Sequence, residues 1–184
     1  MLIPILIGIA IIVAAFVVIV ALLPSEFRVT RSAAMSAPPE VVFAQVNDLH
    51  NWESWNPWGK IDPNMKLTYT GPPAGTGACY SWAGGAKVGE GSMTIMESRP
   101  NDLIRFKLEF LKPFKAANLA EFTFRSVGDH TTVTWSMTGR SNFICKAVGL
   151  FLNISKLCGT QFEKGLADLR SVAEAAVLMQ PGAA

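Results

Sequence analysis

From Met1 to Leu23 the chain carries no charged side chain, and Ile, Val, Leu and Ala make up most of the run. At 1.5 Å per residue a helix of about 23 residues reaches roughly 34 Å, enough to cross a hydrocarbon core of about 30 Å. A cleaved secretory signal would need a basic start, an apolar core of roughly 7 to 15 residues and a small-x-small cleavage site. Here nothing basic precedes the run, which ends in Leu22, Leu23, Pro24, Ser25 and Glu26. The expectation is an uncleaved single-pass transmembrane anchor over residues 1–24. Pro4 falls in the first turn, where a missing N–H donor costs little.

Lys and Arg are retained on the cytoplasmic side of a membrane. Arg28 and Arg31 follow the span, so the remainder is expected to face the cytoplasm from an inner or plasma membrane. Cys79, Cys145 and Cys158 are odd in number and lack metal-site spacing, and they read as reduced thiols in core positions. The net charge of +2 comes from scattered Lys and Arg, which argues against nucleic acid as a partner. With the anchor set aside, about 160 residues remain, the length of one domain with a real core.

Residues 27–35 alternate as a strand leaving the membrane. Pro38, Pro39 and Glu40 then open a helix that carries Val42, Phe43 and Val46 on one face and stops near Asn47 and Asp48. A loop with Trp52, Trp55, Pro57, Trp58 and Pro63 is expected next. Short β segments follow, separated by Gly and Pro as in an antiparallel meander: 67–70, 78–83, 90–98, 103–111, 119–125 and 131–138. The clearest is 103–111, where Ile104, Phe106, Leu108 and Phe110 alternate with Arg105, Lys107 and Glu109. From Asn142 the period changes to about 3.6. The segment from Phe143 to Leu157 is apolar around much of its circumference. It leads into a helix over 160–176 whose stripe of Phe162, Leu166, Leu169, Val172 and Ala173 needs a sheet to cover it. The domain is therefore expected over 27–178, with 179–184 a frayed tail.

The order strand, helix, antiparallel meander, long C-terminal helix resembles the START and birch-pollen-allergen-like superfamily, SRPBCC, and within it the polyketide cyclase/dehydrase-like proteins. The residues that carry the resemblance are RVTRSAAMSAPPEVVFAQVNDLHNWESWNPW from Arg28 to Trp58 and the GxGxxYxWxG pattern from Gly75 to Gly84. VGEGSMTI from Val88, TTVTWSMTG from Thr131 and FEKGLADLRSVAE from Phe162 add to them. Together they span nearly all of the chain after the anchor. The resemblance implies an α+β helix-grip fold, a curved antiparallel sheet around a long C-terminal helix, with a cavity between the two for apolar small molecules. Its members include lipid carriers, receptors, cyclases and co-chaperones, so it speaks to fold and not to one function.

The catalytic inventory is thin. His50 and His130 fall in expected loops and read as surface or capping residues. No spacing singles out Glu53, Glu90, Glu121 or Asp48 as a general acid or base. No catalytic residue, metal or cofactor is assigned. The glycines of 75–80 and 85–91 open no helix and read as hairpin turns rather than phosphate loops. Asn153, Ile154 and Ser155 form a glycosylation sequon inside an apolar helix, which gives it no role.

Trp52, Trp55 and Trp58 recur every third residue. They are expected either to close the core beneath the sheet's open edge or to act as a cavity lid or membrane contact, since indole favours the headgroup level. The ligand cavity is expected among Trp82, Met93, Ile95, Phe106, Leu108, Phe122, Trp135, Met137, Phe162 and Leu166. These side chains can equally fill the space solid, and a usable cavity needs roughly 300 Å³. The segment from Phe143 to Leu157 is a gate over that cavity or lies on the bilayer beside the anchor. Three functions remain in play: a membrane-anchored binding module for a hydrophobic small molecule or lipid, a polyketide cyclase/dehydratase-like enzyme, and a protein-interaction domain without a ligand.

Overall fold

The computed structural model describes residues 2–150 and 154–179. In chain order the elements are α1 (Leu2–Leu22), β1 (Glu26–Met35), α2 (Pro39–Asn47), α3 (Trp52–Trp55), α4 (Pro57–Ile61), β2 (Lys66–Thr70), β3 (Cys79–Ala83), β4 (Glu90–Arg99), β5 (Leu103–Lys112), β6 (Ala116–Val127), β7 (His130–Arg140), α5 (Phe143–Gly149) and α6 (Ile154–Leu178). The strands form one curved antiparallel sheet in the order β1-β7-β6-β5-β4-β3-β2. The meander from β2 to β7 runs through consecutive neighbours, and β1 closes the far side against β7.

Alternation decides which face of this sheet is covered. The register aligns Ile104 of β5, Phe122 of β6 and Trp135 of β7 in one row, and Ile95, Phe106, Ala120 and Met137 in the next. All of these are buried. Phe162, Leu166, Leu169 and Ala173 recur at three- and four-residue intervals along α6, and each is almost wholly buried. Each large apolar side chain so removed from water contributes roughly 1.5–3 kcal/mol. The outer face is wet, with Arg105 of β5 bridging Glu97 and Glu121 on its neighbouring strands.

The stretch expected as a loop with three tryptophans holds two short helices, α3 and α4. The reason is local. The Asn56 side chain accepts the backbone N–H of Trp58 at 3.0 Å, and Pro57 supplies the first helical residue. Helices of four and five residues show no periodicity that a sequence window detects. The apolar segment after β7 also divides, into α5 and the start of α6. The sequon at 153–155, the centre of the expected gate and most of the tail fall partly or wholly outside the described residues.

In α1, residues Ile3–Leu22 form a helix long and apolar enough to cross a membrane, and almost all of its side chains are exposed. Val20, near the base of α1, is fully buried, and α1 touches α5.

Candidate functional site

The expected cavity residues do come together. Met93, Ile95, Phe106, Phe122, Trp135, Met137, Phe162 and Leu166 are buried, and Trp82 and Leu108 are partly buried against the same core. What they build at the centre is a column of rings. Trp135 stacks on Phe162 of α6 with centroids 4.1 Å apart and planes 5° from parallel, and on Phe122 at 4.7 Å. Trp52 meets Phe106, Phe122 and Trp135 edge-on. Such offset and edge contacts add about 0.5–1.5 kcal/mol each beyond burial. Gly165 of α6 permits this approach, because a Cβ there would stand 2.9 Å from the Trp135 ring. The Trp135 indole N–H has no acceptor among the described residues.

Trp52 and Trp55 are buried, and their indoles have a second task. The last four carbonyls of any helix lack partners within it. At the end of α2, the Gln45 carbonyl accepts Trp55 Nε1 at 3.2 Å and the Val46 carbonyl accepts Trp52 Nε1 at 2.9 Å. Ala44 accepts from Asp48 N and Asn51 Nδ2, and Asn47 accepts from Gly75 N. The two tryptophans thus fasten α3 to α2 while filling the core, with neither indole presented to a bilayer. Trp58 is half-buried and meets Trp135 and Phe162.

The open space lies beside this column. A cavity of about 230 Å³ sits where α3 and α4 pass over the short strands β2 and β3. Trp52, Pro63, Met65 and Leu67 line it with apolar surface, and Glu53, Asn56, Lys60, Asp62, Tyr69 and Tyr80 bring polar groups. None of the ten expected residues borders it, and no residue of α6 does. The Tyr69 hydroxyl donates to Glu53 Oε1 at 2.7 Å, and Asn56 Nδ2 donates to the Tyr80 hydroxyl at a long 3.5 Å. Burial pushes the Tyr80 phenol up to about 12 despite the opposing bond from Asn56. Burial, followed by the Glu53 contact, raises Tyr69 above the ordinary range. Both phenols are therefore neutral hydrogen-bonding groups at physiological pH, and the carboxylates of Glu53 and Asp62 are the acidic side chains on the wall.

A smaller hollow of about 70 Å³ lies across Tyr69, lined by Leu49, His50 and the 70–73 turn. His50 is exposed, as its loop position suggested, and it has two partners. Its Nδ1 lies 3.1 Å from Asp48 Oδ1, and its ring stacks on Tyr69 at 4.0 Å. His130 pairs with its neighbour Asp129 at the far end of the sheet. Among the described residues no cluster of His, Cys, Asp and Glu has metal-site geometry, and the three cysteines are free. Burial raises the Cys158 thiol, which keeps it protonated and unreactive. Tyr80 was within reach of sequence reasoning, since it stands two residues before Trp82 and so shares its face of β3. Tyr69, Leu67 and Met65 were not, because nothing local shows that α3 and α4 cross above them.

Several solved structures share this fold. Protein TTHA0849 from Thermus thermophilus is 18% identical with a TM-score of 0.59, over 82% of this chain and 99% of its own. The Aha1 dimer from Colwellia psychrerythraea gives 13% and 0.58, over 80% and 96%. Ara h 8.0201 gives 10% and 0.54, over 84% and 99%. At these identities the likeness establishes the SRPBCC helix-grip fold and no more. No curated protein matches the chain in sequence. The family model described as polyketide cyclase/dehydrase and lipid transport matches residues 26–174, from the first strand to the last turns of α6. On that match, and on the sheet and helix that carry it, this chain belongs to the polyketide cyclase/dehydrase and lipid transport family.

Proposed function

We propose that the chain is a membrane-tethered binding module that holds a small, mostly apolar molecule bearing one hydrogen-bonding group. The anchor in this reading is residues 1–24, with the domain on the cytoplasmic side. The guest sits beneath α3 and α4. The observation that carries the reading is the cavity of about 230 Å³ at that edge, half-walled by Trp52, Met65 and Leu67 and fitted with two neutral phenols. Pockets with apolar walls and a few convergent polar groups are the usual form of small-molecule sites. This one falls below the roughly 300 Å³ at which drug-sized pockets begin, which favours a single-ring or short-chain guest over a whole phospholipid. The ten expected side chains lie outside this pocket and fill the packed core beside it, which Trp52 joins to the pocket through its ring contacts with Phe106, Phe122 and Trp135. Tethering keeps the module beside membrane-partitioned ligand and raises its effective concentration without a new contact.

The test is native mass spectrometry of the full-length protein released from its membrane in mild detergent. A small co-purifying molecule is expected, and Leu67→Trp, which fills the pocket from its floor, is expected to lose it. Protein that arrives empty, or a guest that Leu67→Trp retains, contradicts the reading.

A further inference from the structure

In an antiparallel meander every second turn falls at the same end of the sheet, so the register shows which turns share the end where the chain leaves α1. Glu26, the first residue of β1, pairs with Arg140, the last of β7. Asn118 of β6 pairs with Gly139, Phe110 of β5 with Ala116, and Glu90 of β4 with Lys112. The β5–β6 turn, the β3–β4 turn and the passage from β7 into α5 therefore all lie at the end facing α1. At about 4.8 Å between strands, β5 lies only three spacings, roughly 14 Å, from β1.

This end is unlike the other. Phe114, in the β5–β6 turn, is 52% exposed and Leu111 beside it 55%. On α5, which touches α1, Phe143, Ile144 and Val148 are also exposed, and Leu150 follows them. Lys112, Lys115, Lys146, Lys87 and Arg140 are interleaved with these apolar groups, and the acidic side chains near them include Glu26, Glu90, Glu109 and Asp62, the last held by the Gly85 N–H. Glu90 is paired with Lys112, and Glu109 with Lys107. The opposite end carries Asp102, Asp129, Arg99 and His130, with Val127 exposed beside the β6–β7 turn and Leu178 and Met179 exposed where α6 ends, one turn beyond the Glu174 that holds Ser36 N. Apolar tips bracketed by lysine, beside a helix of membrane-spanning length, are the composition of an interfacial contact.

We propose that this end of the domain seats on the bilayer that α1 enters. Phe114, Leu111 and the exposed side of α5 enter the headgroup layer, and Lys115 and Lys146 meet lipid phosphates. The seat rests on the reading of α1 as a membrane span, and it goes further by giving the domain one orientation on the surface. It also places the ligand pocket close to the lipid, since Gly85 of the β3–β4 turn donates its N–H to the pocket residue Asp62 at 2.7 Å.

The experiment is site-specific photocrosslinking of the full chain in nanodiscs of phosphatidylcholine and phosphatidylserine. The photoreactive residue p-benzoylphenylalanine replaces, one at a time, Ile11 in α1, Phe114 and Ile144 at the seat, and Val127 at the far end. All four sites are exposed, so the substitutions disturb little packing. Phospholipid adducts, read as a mass increase, are expected at 11, 114 and 144, with yield at 127 at least about tenfold lower. An adduct at 11 without one at 114 or 144 overturns the seat and leaves the anchor standing. No adduct at 11 removes the anchor, and the seat with it. Crosslinking of 114 to a second copy of the chain, or equal lipid yield at 127, also overturns the proposal.

Discussion

The centre and the edge of the same interior are built on opposite plans. At the centre, the alternation of the long strands delivers large rings to one face, and α6 comes close enough at Gly165 for Trp135 and Phe162 to lie in flat contact. At the edge the strands shorten to five residues in β2 and β3, and α6 gives way to two helices of four and five residues. Short elements cannot carry enough side chains to fill the space they span, and a cavity results. A helix-grip interior can thus be packed solid in the grip and open at its edge, which is where the proposed guest would sit. Here the grip supplies stiffness and the edge supplies room.

The largest effect should come from emptying the centre. Trp135→Ala removes a ring that touches Phe122, Phe162, Trp52 and Trp58, and is expected to cost about 3–5 kcal/mol in urea unfolding of the full-length protein. A cost under about 1 kcal/mol would mean that the centre is not the rigid part. Gly165→Ala sharpens the comparison at a smaller scale. Alanine gains up to about 1 kcal/mol in helix propensity, but its Cβ meets Trp135 at 2.9 Å and Pro57 at 3.1 Å. Overpacking of this kind costs about 1–3 kcal/mol, so a net loss is expected in the same assay. The corresponding alanine on the solvent face of α6, Lys164→Ala, should lie within about 0.5 kcal/mol of the parent.

The edge is probed by pH. The chain's two tyrosines both line the cavity, so alkaline absorbance reports on that region alone. Both phenols are raised above their ordinary value of 10, Tyr80 to about 12. A raised folded-state pKa stabilises the protein fully below the unfolded value and loses that contribution as pH climbs past it. The folded chain should therefore show little tyrosinate at pH 10 and lose stability between about pH 10 and 12, with Tyr80→Phe flattening that decline. Ordinary titration near 10 in the folded protein would place both hydroxyls in open water.

Much of the centre was legible because its signals are periodic. The alternation of Ile104, Phe106 and Leu108 and the stripe of Phe162, Leu166 and Leu169 each reveal a face, and two apolar faces in one small domain must meet. The three tryptophans were visible as a set, with packing beneath the open edge one of their two expected places. The indole bonds to the Gln45 and Val46 carbonyls were not legible, since they depend on the angle at which α3 returns past α2. The cavity was the hardest to foresee. It is defined by residues from 52 to 80 that carry no shared pattern, and by the placement of α4, which Asn56 caps and the Lys60–Asp168 bridge ties to α6. Volume left unfilled has no residue of its own to announce it.

Fluorine NMR of the full-length protein in nanodiscs distinguishes a guest bound at the edge from one bound at the centre. With 3-fluorotyrosine in place of Tyr69 and Tyr80, and 5-fluorotryptophan in a separate sample, 1-naphthol serves as a small apolar probe with one hydroxyl. A guest at the edge should give saturable shifts of both fluorotyrosine signals, lost in Leu67→Trp, with Trp135 moving far less than Trp52. Shifts concentrated at Trp135, with the two tyrosine signals unmoved, would contradict that placement.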